Sequence, residues 1–210
     1  MTIYHKIETP FTRDMEGTKK LIEGTYRNEC VDFLKDNRWI FTEKVDGTNI
    51  RVIWDGHKVS FAGRSDNADI HGLLIEKLQD YFQGNTNEEI FEEKFGETPV
   101  VFYGEGFGGK IQKGSAYRPT PDFIMFDVKV GDTWLERENV DEIATAFSVE
   151  TVPILLEGTI AEAVEYMKKK PNSVVAFEEK IMEGLIGTPG ARLTDFRGNR
   201  IITKIKECDF

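Results

Sequence analysis

Alternating apolar and polar residues predict strands from residue 39 onward. Residues 39–42 and 49–54 are rich in aromatic and β-branched side chains, and residues 58–61 continue the pattern. Asp55-Gly56, between the last two runs, is the two-residue signal of a tight hairpin. This part of the chain therefore predicts one strand followed by a β-hairpin.

Helical periodicity appears in the next segment. Within residues 71–83 apolar side chains recur at i, i+4 and i+8, at Leu74, Leu78 and Phe82. This spacing predicts an amphipathic helix. A second, acidic helix is predicted to hold Ile90, Phe91 and Phe95.

Two later helices are predicted from their N-terminal signals. Asn139 followed by Glu142 is a variant capping box, and Thr159 followed by Glu162 is a better one. Three lysines before Pro171 favour the end of the second helix, because cations stabilise a helix C-terminus and proline ends it.

The remaining apolar runs predict further strands, with Arg197-Gly198-Asn199 as a turn. These runs are residues 100–103, 123–126, 184–187, 191–194 and 200–206. Strands dominate and helices are inserted between groups of them. The predicted class is α+β, with mainly antiparallel sheets and flanking helices.

Composition places the chain among ordinary globular proteins and excludes collagen-like, disordered and disulfide-scaffold classes. It has 210 residues, 40% of them hydrophobic and 30% charged. Its 27 Lys and Arg against 37 Asp and Glu give a net charge of −10, which argues against a general electrostatic clamp on nucleic acid. We expect a single domain over residues 1–210.

Cysteine and histidine usage constrains the compartment and the metal chemistry. Cys30 and Cys208 form no C-x-x-C motif, which favours a reducing compartment, and no signal peptide or membrane span is visible. We therefore expect a cytoplasmic protein without a membrane partner. The three histidines are scattered, so any metal is expected to be a hard cation held by oxygens.

The sharpest local motif is Lys44-Val45-Asp46-Gly47-Thr48-Asn49, where a lysine ends one strand and Asp-Gly turns into the next. Such a lysine projects from the strand end, where it is either a nucleophile or a solvated lysine beside a hairpin turn. Its context favours chemistry. Glu105 and Glu183 each lie at the edge of an apolar strand, and Lys204 and Lys206 share one strand face.

These motifs, in this order, resemble the covalent nucleotidyltransferases. The similarity is to ATP-dependent RNA ligases of the RNA ligase 2-like, phage kind, and it runs from about residue 39 to the C-terminus. The matching segments are Lys44-Val45-Asp46-Gly47-Thr48-Asn49, Tyr103-Gly104-Glu105-Gly106, Phe123-Ile124-Met125-Phe126-Asp127, Glu183-Gly184-Leu185-Ile186 and Lys204-Ile205-Lys206. The resemblance implies an ATP-grasp-like nucleotidyltransferase (adenylation) domain.

The resemblance also implies a catalytic set. Lys44 attacks the α-phosphorus of ATP and becomes a lysyl-adenylate. Glu183 binds Mg²⁺ (or Mn²⁺), directly or through water. Lys204 and Lys206 hold the phosphates and offset charge as pyrophosphate leaves. AMP then passes to an RNA 5′-phosphate, and a 3′-hydroxyl attacks to seal the strand.

The nucleotide-binding set is implied in the same way. Glu105 hydrogen-bonds the ribose, Glu43 recognises adenine, Asn49 touches the RNA 3′ end, and Arg64 meets the leaving or accepting phosphates. Phe126 stacks on adenine, with Phe123 as its rival, because the two face opposite sides of a strand and one of them belongs to the core.

Two features remain open between a structural and a functional interpretation. Arg51 either forms a structural ion pair or contacts substrate. The Gly-rich, basic loop of residues 106–114 is either a plain surface loop or a segment that covers the nucleotide or meets RNA.

Other functions explain this set of motifs less well. A nucleotide- or RNA-binding module of this fold has no need of the nucleophile. DNA ligases and capping enzymes carry a downstream OB domain with a sixth motif, which we do not expect here. The sequence leaves open the oligomeric state, the RNA target and the preference for nicked or single-stranded RNA.

Charge is distributed unevenly along the chain. Residues 44–64 and 101–119 each carry +2, and residues 186–206 carry +4, so these motif-bearing segments sum to +8 and the rest to −18. The sequence therefore predicts a confined basic site on an acidic body, with few RNA phosphates engaged.

Overall fold

A computed structural model describes residues 3–112 and 114–210. Within these residues the chain forms twelve strands, five α-helices and two short 3₁₀ turns, in two compact units. The strands are β1 (Phe11–Arg13), β2 (Leu21–Tyr26), β3 (Trp39–Lys44), β4 (Thr48–Trp54), β5 (Val59–Ala62), β6 (Val100–Phe107), β7 (Asp122–Val130), β8 (Thr133–Trp134), β9 (Glu150–Thr151), β10 (Ile154–Gly158), β11 (Gly184–Pro189) and β12 (Thr203–Lys206). The helices are α1 (Glu29–Phe33), α2 (Gly72–Phe82), α3 (Asn85–Phe95), α4 (Arg137–Ala146) and α5 (Ile160–Lys168).

Unit 1 is built mainly from Asp46–Val152 and contains a six-stranded sheet. The antiparallel order is β5-β4-β6-β7-β8, and β9 pairs with β7 in parallel. Alternate residues of β4, β6 and β7 face helices α2, α3 and α4. This face forms an aromatic core that includes Trp54, Phe82, Phe91, Phe102 and Phe147.

Unit 2 is built from His5–Val45, Pro153–Val175 and Glu179–Phe210. Its four-stranded antiparallel sheet has the order β10-β3-β11-β12, and β1 and β2 form a separate two-stranded sheet. One face of the larger sheet packs on α5 through a core that includes Trp39, Phe41, Leu185, Ile205, Ile160 and Met167. Assignment of residues 1–210 to one domain stays a prediction.

The predicted α+β class is confirmed, as are most of the predicted elements. Helix α2 buries Leu74, Leu78 and Phe82 completely. The capping box at Thr159 is present, with Glu162 accepting a 2.7 Å hydrogen bond from the Thr159 backbone N–H.

The predicted start of α4 was wrong. The helix begins at Arg137 with Glu136 as its N-cap, rather than at Asn139. The Val140 backbone N–H donates to the Glu136 oxygen at 3.1 Å, so the first helical hydrogen bond starts from Glu136 and Asn139 lies inside the first turn.

The C-terminal strands are shorter than predicted. Residues 191–194 form no strand, and β12 begins at Thr203 rather than at residue 200. Only the isolated pair Thr194 and Arg200 bridges the two arms of this segment. The predicted turn is present, with Gly198 at a φ of +79°.

No helix among residues 3–112 and 114–210 has the length and apolarity needed to cross a membrane.

Candidate active site

Three lysines gather around one carboxylate on the four-stranded sheet of unit 2. Gly184 on β11 lies opposite Lys44 on β3 and opposite Lys206 on β12. Glu183 directly precedes Gly184, and its two carboxylate oxygens form ion pairs with Lys44 and Lys206. We call Lys44, Lys204, Lys206 and Glu183 the lysine cluster.

Strand alternation places these lysines away from the core. Trp39 and Phe41 of β3 are fully buried, whereas Lys44 faces the opposite side. In β12, Ile205 is fully buried between Lys204 and Lys206, which are half-buried. The predicted shared face of the two lysines is therefore present.

Gly184 on β11 allows β12, the strand of Lys204 and Lys206, to approach closely. A Cβ atom at this position would lie 2.2 Å from the backbone oxygen of Ile205 and 2.9 Å from the Cα of Lys206. Any larger residue would push β12 away from β11. Lys206 would then move away from Glu183.

The electrostatics of the cluster differ between the two β12 lysines. Burial lowers the pKa of Lys204, and the positive charges of Lys206 and Lys44 lower it further. Burial lowers the pKa of Lys206 as well. The hydrogen bond to Glu183 and the negative charge of that carboxylate outweigh burial, so the pKa of Lys206 is raised overall. Three ammonium groups face one carboxylate, which makes this surface a receptor for anions.

Glu43 lies on the other side of β3 from Lys44. It is 1% exposed, and its carboxylate accepts hydrogen bonds from the Ser173 hydroxyl and from the Val174 backbone N–H at 3.0 Å. The structure thus places this side chain in the core, where it holds the segment after α5. The predicted role in adenine recognition stays a prediction.

Asn49 and Glu105 lie opposite each other on β4 and β6 of unit 1. They occupy the sheet face that does not pack on the helices, because Ile50 and Val52 point into the core. The Asn49 Oδ1 atom is buried and accepts no hydrogen bond from the part of the chain that the structure describes. Such an atom is suited to accept a hydrogen bond from a ligand.

Phe123 and Phe126, the two candidates for stacking on adenine, differ in their burial and in the sheet face they occupy. Phe123 is 1% exposed and belongs to the core, where it packs over Gly104. Phe126 is half-buried, and its ring meets that of Tyr4 edge-on at 5.1 Å. A register shift in β7 leaves Phe126 without a partner on β6, and turns it and Asp127 to the face that carries Glu105.

Of the two interpretations of Arg51, the structure supports the structural ion pair. Its guanidinium is fully buried, donates to the Gly63 backbone oxygen at 2.9 Å and pairs with Asp66 at 2.7 Å. Arg64 is exposed and forms no ion pair within residues 3–112 and 114–210.

The Gly-rich loop is anchored in its described part. Ile111 and Tyr117 are buried, and the Tyr117 hydroxyl accepts a 3.1 Å hydrogen bond from the Asp46 backbone N–H, just after Lys44. Lys113 lies outside the described residues, and whether the loop contacts substrate stays a prediction.

Sequence reasoning missed Asp209. This fully buried carboxylate accepts a 2.8 Å hydrogen bond from the Lys206 backbone N–H and forms an ion pair with Arg13 on β1. Lys204 is tied to the N-terminal segment too, because its backbone N–H donates to the Glu8 oxygen at 3.0 Å. An acid three residues beyond Lys206 was the available signal, but Arg13 could not be recognised as its partner.

No group of three or more His, Cys, Asp or Glu side chains arranged to hold a metal occurs within residues 3–112 and 114–210. Glu183 is the acidic member of the lysine cluster, so the cluster offers a cation one carboxylate. One carboxylate suffices for Mg²⁺ that keeps waters and shares substrate phosphate oxygens.

Comparison with known proteins identifies the family. The RNA ligase family model matches residues 37–206. The chain therefore belongs to the RNA ligase family. No curated protein sequence matches it significantly.

Solved structures share its fold. An apo mutant of Naegleria gruberi RNA ligase superimposes with a TM-score of 0.63 at 18% identity, over 97% of this chain and 61% of that one. A mutant of the same ligase with AMP and Mn gives 0.63 at 18%, over 96% and 61%. The ligase with PPi gives 0.61 at 18%, over 98% and 62%. The present chain thus spans about three fifths of the length of these ligases, and the nucleotidyltransferase fold is confirmed.

Proposed function

We propose that the protein is an ATP-dependent RNA ligase that joins RNA 3′-hydroxyl and 5′-phosphate ends. The observation that carries this proposal is the Glu183 carboxylate between Lys44 and Lys206 on adjacent strands. Family membership and solved Naegleria structures with ATP and Mn support it.

Lys44 is the proposed nucleophile. After losing its proton, its Nζ forms a bond to the α-phosphorus of ATP as the bond to the pyrophosphate oxygen breaks. Lys204 and Lys206 hold the phosphate oxygens and offset the charge that develops on pyrophosphate. The lysyl-adenylate then passes AMP to the RNA 5′-phosphate, and the 3′-hydroxyl displaces AMP in an in-line attack.

Mg²⁺ or Mn²⁺ is the proposed cofactor, with Glu183 as its protein ligand. When bound, the divalent cation neutralises phosphate charge. The single carboxylate of the cluster fits a hydrated ion of this kind, and in the present state its oxygens are held by two lysines.

The nucleotide is proposed to contact the polar face of the unit 1 sheet. Glu105 would bind the ribose, Phe126 would stack on adenine, and Asn49 would use its buried Oδ1 for a substrate hydroxyl. Glu43 is proposed to act near adenine through its backbone, because its carboxylate is already bound by Ser173 and Val174. Arg64 is proposed to meet phosphates.

The adenylation step gives the direct test. The protein is incubated with α-labelled ATP and Mg²⁺, and label on the denatured protein is measured. Wild type should form an acid-labile AMP adduct. Lys44→Ala and Lys44→Arg should form none, since arginine keeps the charge beside Glu183 but lacks a nucleophilic amine.

Lys58→Ala, at an exposed lysine in the β4–β5 turn, is the matched control and should label normally. An adduct that survives in both Lys44 variants would refute the assignment. Wild type that binds ATP but forms no adduct would instead be a binding module. Sealing of 5′-phosphorylated DNA but not RNA would make it a DNA ligase.

A further inference from the structure

The loop between β11 and β12, residues 190–202, presents an aromatic side chain to solvent. Phe196 is 91% exposed. The Arg197 guanidinium lies over its ring, 5.1 Å from the centroid. The ring is open to solvent beside a cation, so it is available to stack on a ligand with a flat apolar face.

The turn that carries Phe196 is held in one conformation by hydrogen bonds. The Asp195 carboxylate accepts hydrogen bonds from the backbone N–H groups of Arg197 and Asn199, at 2.9 and 2.8 Å, and from the Asn199 side chain at 3.0 Å. The Asp195 backbone N–H donates to the Asn199 oxygen at 2.8 Å. A preorganised turn loses little conformational entropy when its tip binds a ligand.

Local charge indicates which ligand. Residues 190–202 carry three arginines and one aspartate, a net of +2 in a chain of −10. Phe33, at the end of α1, is 86% exposed in the same unit, but residues 29–36 around it carry three acids and one lysine, a net of −2. An aromatic ring among arginines suits a nucleobase attached to phosphates, and one among acids does not.

We propose that Phe196 and Arg197 form a stacking site for an unpaired nucleobase of the RNA substrate. This inference rests on the proposed function, since the loop joins the strand after Glu183 to the strand of Lys204 and Lys206. Lys204 is eight positions beyond Phe196 in the chain, at most about 26 Å of extended backbone. The stacked base therefore lies within about eight nucleotides of the joint.

The test compares two phenylalanines that are both largely exposed. Fluorescent 5′-phosphorylated single-stranded RNA is titrated against wild type, Phe196→Ala, Phe196→Leu, Phe196→Trp and Phe33→Ala, and anisotropy gives each Kd. Phe196→Ala and Phe196→Leu should weaken binding about 5-fold or more, because both lose the aromatic face. Phe196→Trp and Phe33→Ala should bind like wild type.

Other outcomes overturn the proposal. Equal affinity of all five proteins would remove the stacking site, and equal weakening by Phe33→Ala would reduce it to a nonspecific surface effect. Retention of affinity by Phe196→Leu would indicate an apolar contact instead of stacking. A change in oligomeric state with unchanged RNA affinity would indicate a protein-docking loop.

The proposed function is tested separately. Wild-type AMP-adduct formation without RNA reports on ligase chemistry alone, so its absence refutes the enzyme and leaves the RNA titration interpretable. A normal adduct with no effect at Phe196 refutes only the stacking site.

Discussion

Lys204 lies in surroundings that oppose a positive charge on its side chain. Burial and two neighbouring ammonium groups lower its pKa, so the folded protein releases this proton at a lower pH than the unfolded chain does. Lys204 therefore opposes folding at neutral pH, and its contribution to stability improves as pH rises from the lowered pKa toward the unfolded value of about 10.4.

Lys204→Met should accordingly raise the melting temperature at neutral pH, on the order of 1–2 °C given solvent screening, while abolishing adenylation. The gain should shrink as pH approaches 10, which thermal unfolding across pH measures. Lys206→Met is the matched control. The raised pKa of Lys206 means that its charge stabilises the fold until pH exceeds that pKa, so this variant should melt lower. Equal loss of stability in both variants would contradict this account.

Individual site residues could be predicted where a reactive residue type occurs at a strand end within an ordered set of motifs. Lys44, Glu183 and Lys206 were predicted from their order along the chain and lie together. Glu43 shows what was overlooked, because the alternation that buries Trp39 and Phe41 also places Glu43 on the core side. Its partners, Ser173 and Val174, are some 130 residues away and had no local signal.

Gly184 sets the spacing of the strands at the element scale. A Cβ there would meet backbone atoms, which cannot move aside as a flexible side chain can. Gly184→Ala should destabilise the protein by about 1–3 kcal/mol and reduce AMP-adduct formation, because β12 carries Lys206 away from Glu183.

Urea unfolding and adduct labelling measure the two effects. Gly72→Ala at the start of α2 is the control, since a Cβ there meets no atom within 4 Å. That variant should be at least as stable as wild type. A stable Gly184→Ala protein that labels normally would show that the strand approach is not required.

Elements with strong local signals were predictable and those defined by distant pairing were not. Helices α2 and α5 follow from apolar period and a capping box. The order β10-β3-β11-β12 joins strands from three separate parts of the chain, and no local pattern encodes it. Strand β10, whose side chains are mostly half-buried or exposed, gave no clear alternation.

Charge asymmetry acts at the scale of the whole molecule. The net charge is −10, yet the segments that carry the candidate site are basic. RNA should therefore be bound through few phosphates, while the acidic remainder repels the rest of the strand.

The affinity for single-stranded RNA should fall with a log–log salt slope of about −2 to −3, which corresponds to three or four phosphate contacts. Anisotropy titrations between about 50 and 200 mM salt measure it. Lys58→Ala should leave the slope unchanged, and a slope steeper than about −5 would contradict a confined basic site.

The sheet of unit 2 is formed by strands that lie far apart in the sequence, and this affects the order in which the protein folds during synthesis. Unit 1 is nearly continuous in sequence, whereas the sheet that carries Lys44 needs β11, β12 and the carboxylate of Asp209 to be complete. During synthesis unit 1 can fold while the ribosome is still extending the chain, and the strand of Lys44 waits for partners some 140 residues later. The lysine cluster is thus assembled last, and a chain that ends before β12 lacks Lys204 and Lys206.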